Sequence, residues 1–225
     1  MAMAAQWGTT IAILMHTDHL LTLTQWLTPS YPVGAFAWSH GLERAIARGD
    51  VADADNLTDW LAVVLEHGAG RADAILLTLA QGADDVTEVA DFAAALAPSR
   101  ERREETMQQG AAFAATTRAV WGLELPDMAY PVAVGRAAGL MGIDAVPVAQ
   151  VWLQAFASNL TQAAQRLMPL GQTNGQKIVA HLSPLCAKVG ADAATATLDD
   201  IGSASFAVDI ASMQHETQQP RIFRS

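Results

Sequence analysis

A-V-P-V-A-Q-V-W-L-Q-A-F-A-S-N-L-T-Q-A-A-Q, Ala145–Gln165, runs without a formal charge into R-L-M-P-L-G-Q-T-N-G-Q, Arg166–Gln176. Val151, Trp152, Ala155, Phe156, Leu160, Ala163 and Leu167 fall at helical spacing, and the other face carries amides and hydroxyls. Pro169 stops this helix, Gly171 turns the chain, and Gln172, Asn174 and Gln176 crowd the turn. An uncharged helix ending in an amide-rich joint has no reason to face water on every side. The sequence therefore predicts one all-α domain of about ten helices packed around this element.

The stretches on either side obey the same period. Leu20, Leu23 and Leu27 open a short helix that stops before Pro29. Trp38, Leu42, Ala45 and Ile46 predict a helix from about Phe36 to Gly49. Leu57, Trp60, Leu61, Val64 and Leu65 make an apolar stripe behind a cap at Asp53 or Asp55. Ala72–Leu79 and Val86–Leu96 repeat it. The run R-E-R-R-E-E, residues 100–105, opens a helix to about Trp121. It reads as a solvated face, with Arg100 and Glu104 paired at i, i+4. Pro131 suits a helix start, Gly135 and Gly139 share a face that permits close approach, and Gly142 suits a helix end. A helix is expected over Gln176–Lys188, and a short last one over 206–216. No strand alternation and no repeat are seen.

Composition narrows the function. The chain has 225 residues, a net charge of −10 and only 16% charged residues. Alanine is abundant, which suits helices packed close on one another. So acidic a chain does not suit a nucleic-acid partner, because phosphate neutralisation needs a basic face. A basic protein or a cation suits it better. The single Cys186 excludes an internal disulfide and reads as a core residue. No stretch has the length and apolarity of a membrane span. Residues 1–14 lack the cationic start of a signal peptide and read as a poorly ordered extension. There is no P-loop, no dinucleotide fingerprint, no H-E-x-x-H and no G-x-S-x-G, so no catalytic residue, cofactor or metal site is assigned. His16, Asp18 and His19 could share a metal but supply too few ligands for a typical site. His215 and Glu216 are too close in sequence to form a preorganised pair. His40 reads as a hydrogen-bonded core or interface histidine.

Three blocks in order resemble the urease accessory protein F family. S-Y-P-V-G-A-F-A-W-S-H-G-L-E, Ser30–Glu43, is similar to the family's P-V-G-x-F-x-(Y/W)-S-(Q/H)-G-L-E. Arg166–Gln176 is similar to its R-x-x-P-L-G-Q-T-x-G-Q. D-I-A-S-M-Q-H-E-T-Q-Q-P-R-I-F-R-S, Asp209–Ser225, is similar to its C-terminal block. The resemblance runs from about Leu20 to the end. It implies a non-catalytic, cytoplasmic helical protein that forms a homodimer, binds the accessory protein called D or H, and recruits the accessory GTPase G. The assembly delivers nickel to apo-urease. The resemblance divides the chain into an extension (1–14), a helical accessory domain (15–218) and a partner-binding tail (219–225). The tail is expected to be poorly ordered alone and to dock on D/H through Arg221, Phe223, Arg224 and Ser225. Arg166, Gln172 and Gln176 are expected to border the dimer or GTPase surface. Tyr31, His40, Glu43, His215 and Glu216 are further interface candidates, and Pro32, Gly34 and Phe36 are expected to be structural. Two rival readings remain: a direct nickel carrier through His16, Asp18, His19 or His215, and a small-ligand protein or enzyme using His40 and Glu43.

Overall fold

The computed structural model describes residues 16–225; the expected 1–14 extension lies outside them. Ten α-helices account for most of the described residues. They are α1 (Thr17–Trp26), α2 (Leu42–Arg48), α3 (Ala54–His67), α4 (Ala69–Gly82), α5 (Thr87–Leu96), α6 (Arg100–Trp121), α7 (Tyr130–Leu140), α8 (Ala145–Leu167), α9 (Gln172–Ala193) and α10 (Phe206–His215). Two 3-10 turns, Ala35–Ala37 and Leu198–Asp200, complete them, and no strand occurs among the described residues. The fold is all-α around one hydrophobic core.

The charge-free helix α8 packs most extensively on α9. Two of its amides serve that contact: Gln150 Nε2 donates to Ala187 O at 2.9 Å, and Ser183 Oγ donates to Gln154 Oε1 at 3.1 Å. Met168 leaves the helix in an extended conformation, as a residue before proline must. The joint is shorter than the sequence suggests, because α9 begins at Gln172 rather than Gln176. Gly175 lies where a side chain would strike the Gln165 amide.

Helix α4 is buried nearly all round and packs most closely on α7. A Cβ at Gly135 would stand 2.1 Å from Leu77 O, and one at Gly139 would stand 2.2 Å from Gln81 O. The two backbones are in contact there, as the shared glycine face predicts. Gly135→Ala should therefore lower stability by about 1–3 kcal/mol or more, read as a lower urea midpoint at unchanged m.

The helix predicted from Phe36 does not start there. His40 and Gly41 adopt left-handed conformations, with φ of 58° and 76°, and α2 begins only at Leu42. Gly41 is also pressed against α10, where an added Cβ would lie 2.7 Å from Ser212 N. The break brings the 30–43 block against the last helix and the tail.

Candidate functional site

The charge run of α6 is not a solvated face. Glu101, Arg102 and Glu105 are all buried, with partners on α4, α10 and the tail. Arg100, Arg103 and Glu104 of the run face solvent. Ser99 caps α6 by accepting from Arg102 N at 3.1 Å and joins Ser212 of α10 at 2.7 Å. Arg100 pairs with Glu216, not with Glu104: its backbone N–H donates to Glu216 Oε1 at 2.8 Å.

At the centre is His215, fully buried at the end of α10. Its Nδ1 lies 2.7 Å from Glu101 Oε2 and its Nε2 lies 3.1 Å from Glu43 Oε2. Carboxylates only accept, so a ring carrying both N–H groups satisfies both contacts. The true partners of His215 are thus Glu43 and Glu101, remote in sequence, and not its neighbour Glu216.

The same two carboxylates hold the tail. Ile222 N and Phe223 N donate to Glu43 at 2.7 and 2.8 Å. Arg221 Nη1 donates to Glu101 Oε1 at 2.5 Å. The Phe223 ring is buried, with the Arg166 guanidinium 4.3 Å from its centroid. Arg224 N donates to Ala37 O at 2.9 Å, and its guanidinium stacks 4.5 Å from the Trp38 ring. Ser225 is fully buried: its carbonyl accepts from Ser39 N at 2.9 Å and from the Ser39 hydroxyl. Its hydroxyl accepts from His40 N at 3.1 Å and donates to Glu105 Oε2 at 3.3 Å. Residues 219–225 are therefore not a loose segment in the isolated chain. The expectation of a poorly ordered tail fails because a sequence pattern shows neither Glu43 nor Glu101 as its receptor.

A second buried pair continues inward. Arg102 Nη2 lies 2.6 Å from Asp73 Oδ2, and Arg102 Nη1 lies 3.8 Å from Glu105 Oε2. Burial works to raise the Glu105 carboxyl, but the Arg102 guanidinium and the His40 ring more than offset it, so Glu105 titrates below the ordinary carboxylate range. A cavity of about 100 Å³ opens beside this pair, lined by Tyr31, Asp73, Arg102, Glu105, Tyr130 and Trp152 among others. It is smaller than the roughly 300–1,000 Å³ of typical ligand pockets, and neither His40 nor Glu43 lines it.

The remaining candidates divide clearly. Tyr31 is core: it packs on Phe113, and its hydroxyl pairs with Thr117 at 2.9 Å. His40, Glu43, His215, Phe223 and Ser225 are buried in the joint between tail and body. Arg166, Gln172, Gln176, Arg221 and Arg224 are exposed, and Glu216 is half-buried. Sequence reasoning missed Asp73, Glu101, Arg102 and Glu105. The only available signal was that the arginines and glutamates of 100–105 fall on both sides of one helix. Phe36, expected to be structural, is 71% exposed. Cys186 is buried, and burial pushes its thiol up to about 11, which leaves it unreactive. No group of three or more His, Cys, Asp or Glu among the described residues is placed to hold a metal ion. No described helix is long and apolar enough to cross a membrane.

A family model described as UreF matches residues 51–183. The urease accessory protein UreF of Cereibacter sphaeroides (strain ATCC 17025 / ATH 2.4.3) is 52% identical over 206 residues, covering 92% of this chain and 98% of the relative. That of Roseobacter denitrificans is 49% identical over 218 residues, covering 96% and 98%. The protein named urease accessory protein UreF 1 in Brucella canis is 46% identical over 218 residues, covering 93% and 95%.

Proposed function

Because this chain belongs to the UreF family of urease accessory proteins and so takes part in urease maturation, we propose that it acts there as a non-catalytic cytoplasmic scaffold. In this reading it forms a homodimer and binds the D/H accessory protein. It also recruits the accessory GTPase G, whose activity it regulates, and so supports GTP-dependent nickel insertion into apo-urease. The observation that carries the proposal is the docked tail. Glu43 and Glu101 fix residues 221–223 so that Arg221, Ile222 and Arg224 lie outward while Phe223 is held inside. Such an edge joins an apolar side chain to guanidiniums that suit carboxylates on a partner. D/H is assigned to this edge. Arg166, Gln172 and Gln176, also exposed, are assigned to the GTPase.

Direct nickel carriage has less support. His215 is enclosed by two glutamates, and His16 and His19 bring only two imidazoles, with ring centroids 5.6 Å apart.

The test is co-purification of the full chain with D/H and G, with light scattering of the eluted complex. A ternary assembly of dimeric mass is expected. Deleting Gln219–Ser225 should abolish D/H binding while the helical circular dichroism stays. A truncated chain that keeps D/H would remove the tail from the interface.

A further inference from the structure

The cavity beside the Asp73–Arg102 pair carries hydrogen-bonding atoms that the fold itself does not use. Its lining runs from exposed Pro29 and half-buried Thr28 and Ser158 to buried Asp73, Gln109 and Trp152, so it reaches from the surface into the core. Trp152 Nε1 is buried and has no hydrogen-bond partner among the described residues. Such a donor costs stability unless something accepts from it. Acceptors are left over as well. Gln109 Nε2 donates to Glu105 Oε1 at 3.3 Å, which turns Gln109 Oε1 away from that carboxylate and leaves it without a partner among the described residues. Asn159, also in the lining, donates from Nδ2 to Ala35 O at 3.3 Å and keeps its Oδ1 unused in the same way. Asp73 gives only Oδ2 to Arg102, at 2.6 Å.

The Arg102 guanidinium is turned to Asp73 and Glu105. The unpaired groups are then one N–H and three acceptors, with the Tyr130 hydroxyl able to act either way. A complementary occupant donates several N–H groups and accepts through one oxygen. A metal ion or ammonium offers nothing for Trp152 Nε1 to donate to, and the Arg102 charge in the same wall opposes a further cation. The rings of Tyr130 and Trp152, with centroids 4.6 Å apart, add flat apolar walls. At about 100 Å³ the cavity is too small for a nucleotide or a drug-sized ligand. A water needs about 10–15 Å³ of such volume, so a few waters, or one molecule of a few heavy atoms, fit.

We propose that this cavity binds a small neutral molecule of the urea and primary-amide class, its carbonyl accepting from Trp152 Nε1 and its N–H groups donating to acceptors among Gln109, Asn159 and Asp73. The assignment goes beyond the scaffold reading and does not rest on it. It follows from the excess of acceptors, the single buried donor and the small volume.

The experiment is titration of the purified, isotope-labelled full chain with urea at millimolar, non-denaturing concentrations, read at the indole N–H resonance of Trp152. A saturable shift is expected, with Kd of about 1 mM or tighter, the scale open to so small a ligand. Acetamide should compete. Tetramethylurea, which keeps the carbonyl but has no N–H, should not. Trp152→Phe keeps a ring in place and removes the donor. Read at the Gln109 side-chain amide, it should weaken urea about 10-fold, the loss of one hydrogen bond, with the melting temperature held or raised. Gln109→Met, read at the Trp152 indole, should weaken it likewise. An indole shift that never saturates would leave the cavity to water and overturn the proposal. Equal binding of tetramethylurea would overturn it by removing the role of the acceptors, and tighter binding of guanidinium than of urea by assigning the site to a cation. Unchanged urea affinity in both variants would place any binding elsewhere on the chain and overturn it too. Failure of the chain to co-purify with D/H or G would count against the scaffold reading alone.

Discussion

Arg102→Met should destabilise the fold by about 3–5 kcal/mol, the cost of leaving buried charges without their partner. Arg102 is the cation for both Asp73 and Glu105, at 2.6 and 3.8 Å, and all three side chains are at least nine-tenths buried or close to it. Methionine fills much of the volume but supplies no donor. The two carboxylates would then face each other's charge in a site that water reaches poorly. The measure is the free energy of unfolding in urea at neutral pH. Asp73→Asn added to Arg102→Met should recover part of the loss, because it removes one of the stranded charges. The sign with pH follows from Glu105. Its folded pKa is lowered, so its contribution is present above the unfolded carboxylate value and is lost as pH falls through the folded one. A wild-type-like midpoint for Arg102→Met would mean that the pair contributes nothing to the fold.

The second large effect is at Glu43. Its carboxylate accepts from Ile222 N, Phe223 N and His215 Nε2 at once, from a side chain only 6% exposed. Glu43→Ala removes all three acceptors, at about 1–3 kcal/mol for each buried donor left unmade. The tail can answer by leaving, which returns its N–H groups to water and limits the global cost. The expected result is therefore local. The helical body should persist with a modestly lower midpoint, residues 219–225 should become protease-sensitive, and D/H binding should drop with them. Glu43→Gln should give a milder form, since one amide oxygen can still accept but the charge is gone. A Glu43→Ala chain with a protected tail would place the hold on the tail elsewhere, at Arg221–Glu101 or Ser225.

The helices were legible because their apolar stripes are local. The stripe Leu57–Leu65 read as a helix, and α3 buries Leu57, Leu61, Val64 and Leu65 while leaving Trp60 half-buried. The glycines at 135 and 139 read as a close approach, and the approach is there. What was not legible is long-range and polar. A run such as R-E-R-R-E-E looks solvated because its partners, Asp73, His215 and Arg221, come from distant parts of the chain. His40 could not be seen to break the predicted helix, because the tail that accepts from His40 N and the α10 backbone that abuts Gly41 come from the far end of the chain. The tail's block was recognisable, but its receptor was not. The exposure of Phe36 was not legible either, because the groups that fix its turn come from distant parts of the chain.

The central claim is that the last residues are seated in the body of the isolated chain by Glu43 and Glu101. Hydrogen exchange of the backbone amides of Ile222 and Phe223, followed in the lone wild-type protein without partners, tests it most directly. Protection well above the rate of a free peptide, lost in Glu43→Ala, is the predicted result. Exchange of both amides at the free-peptide rate in the wild type would contradict it.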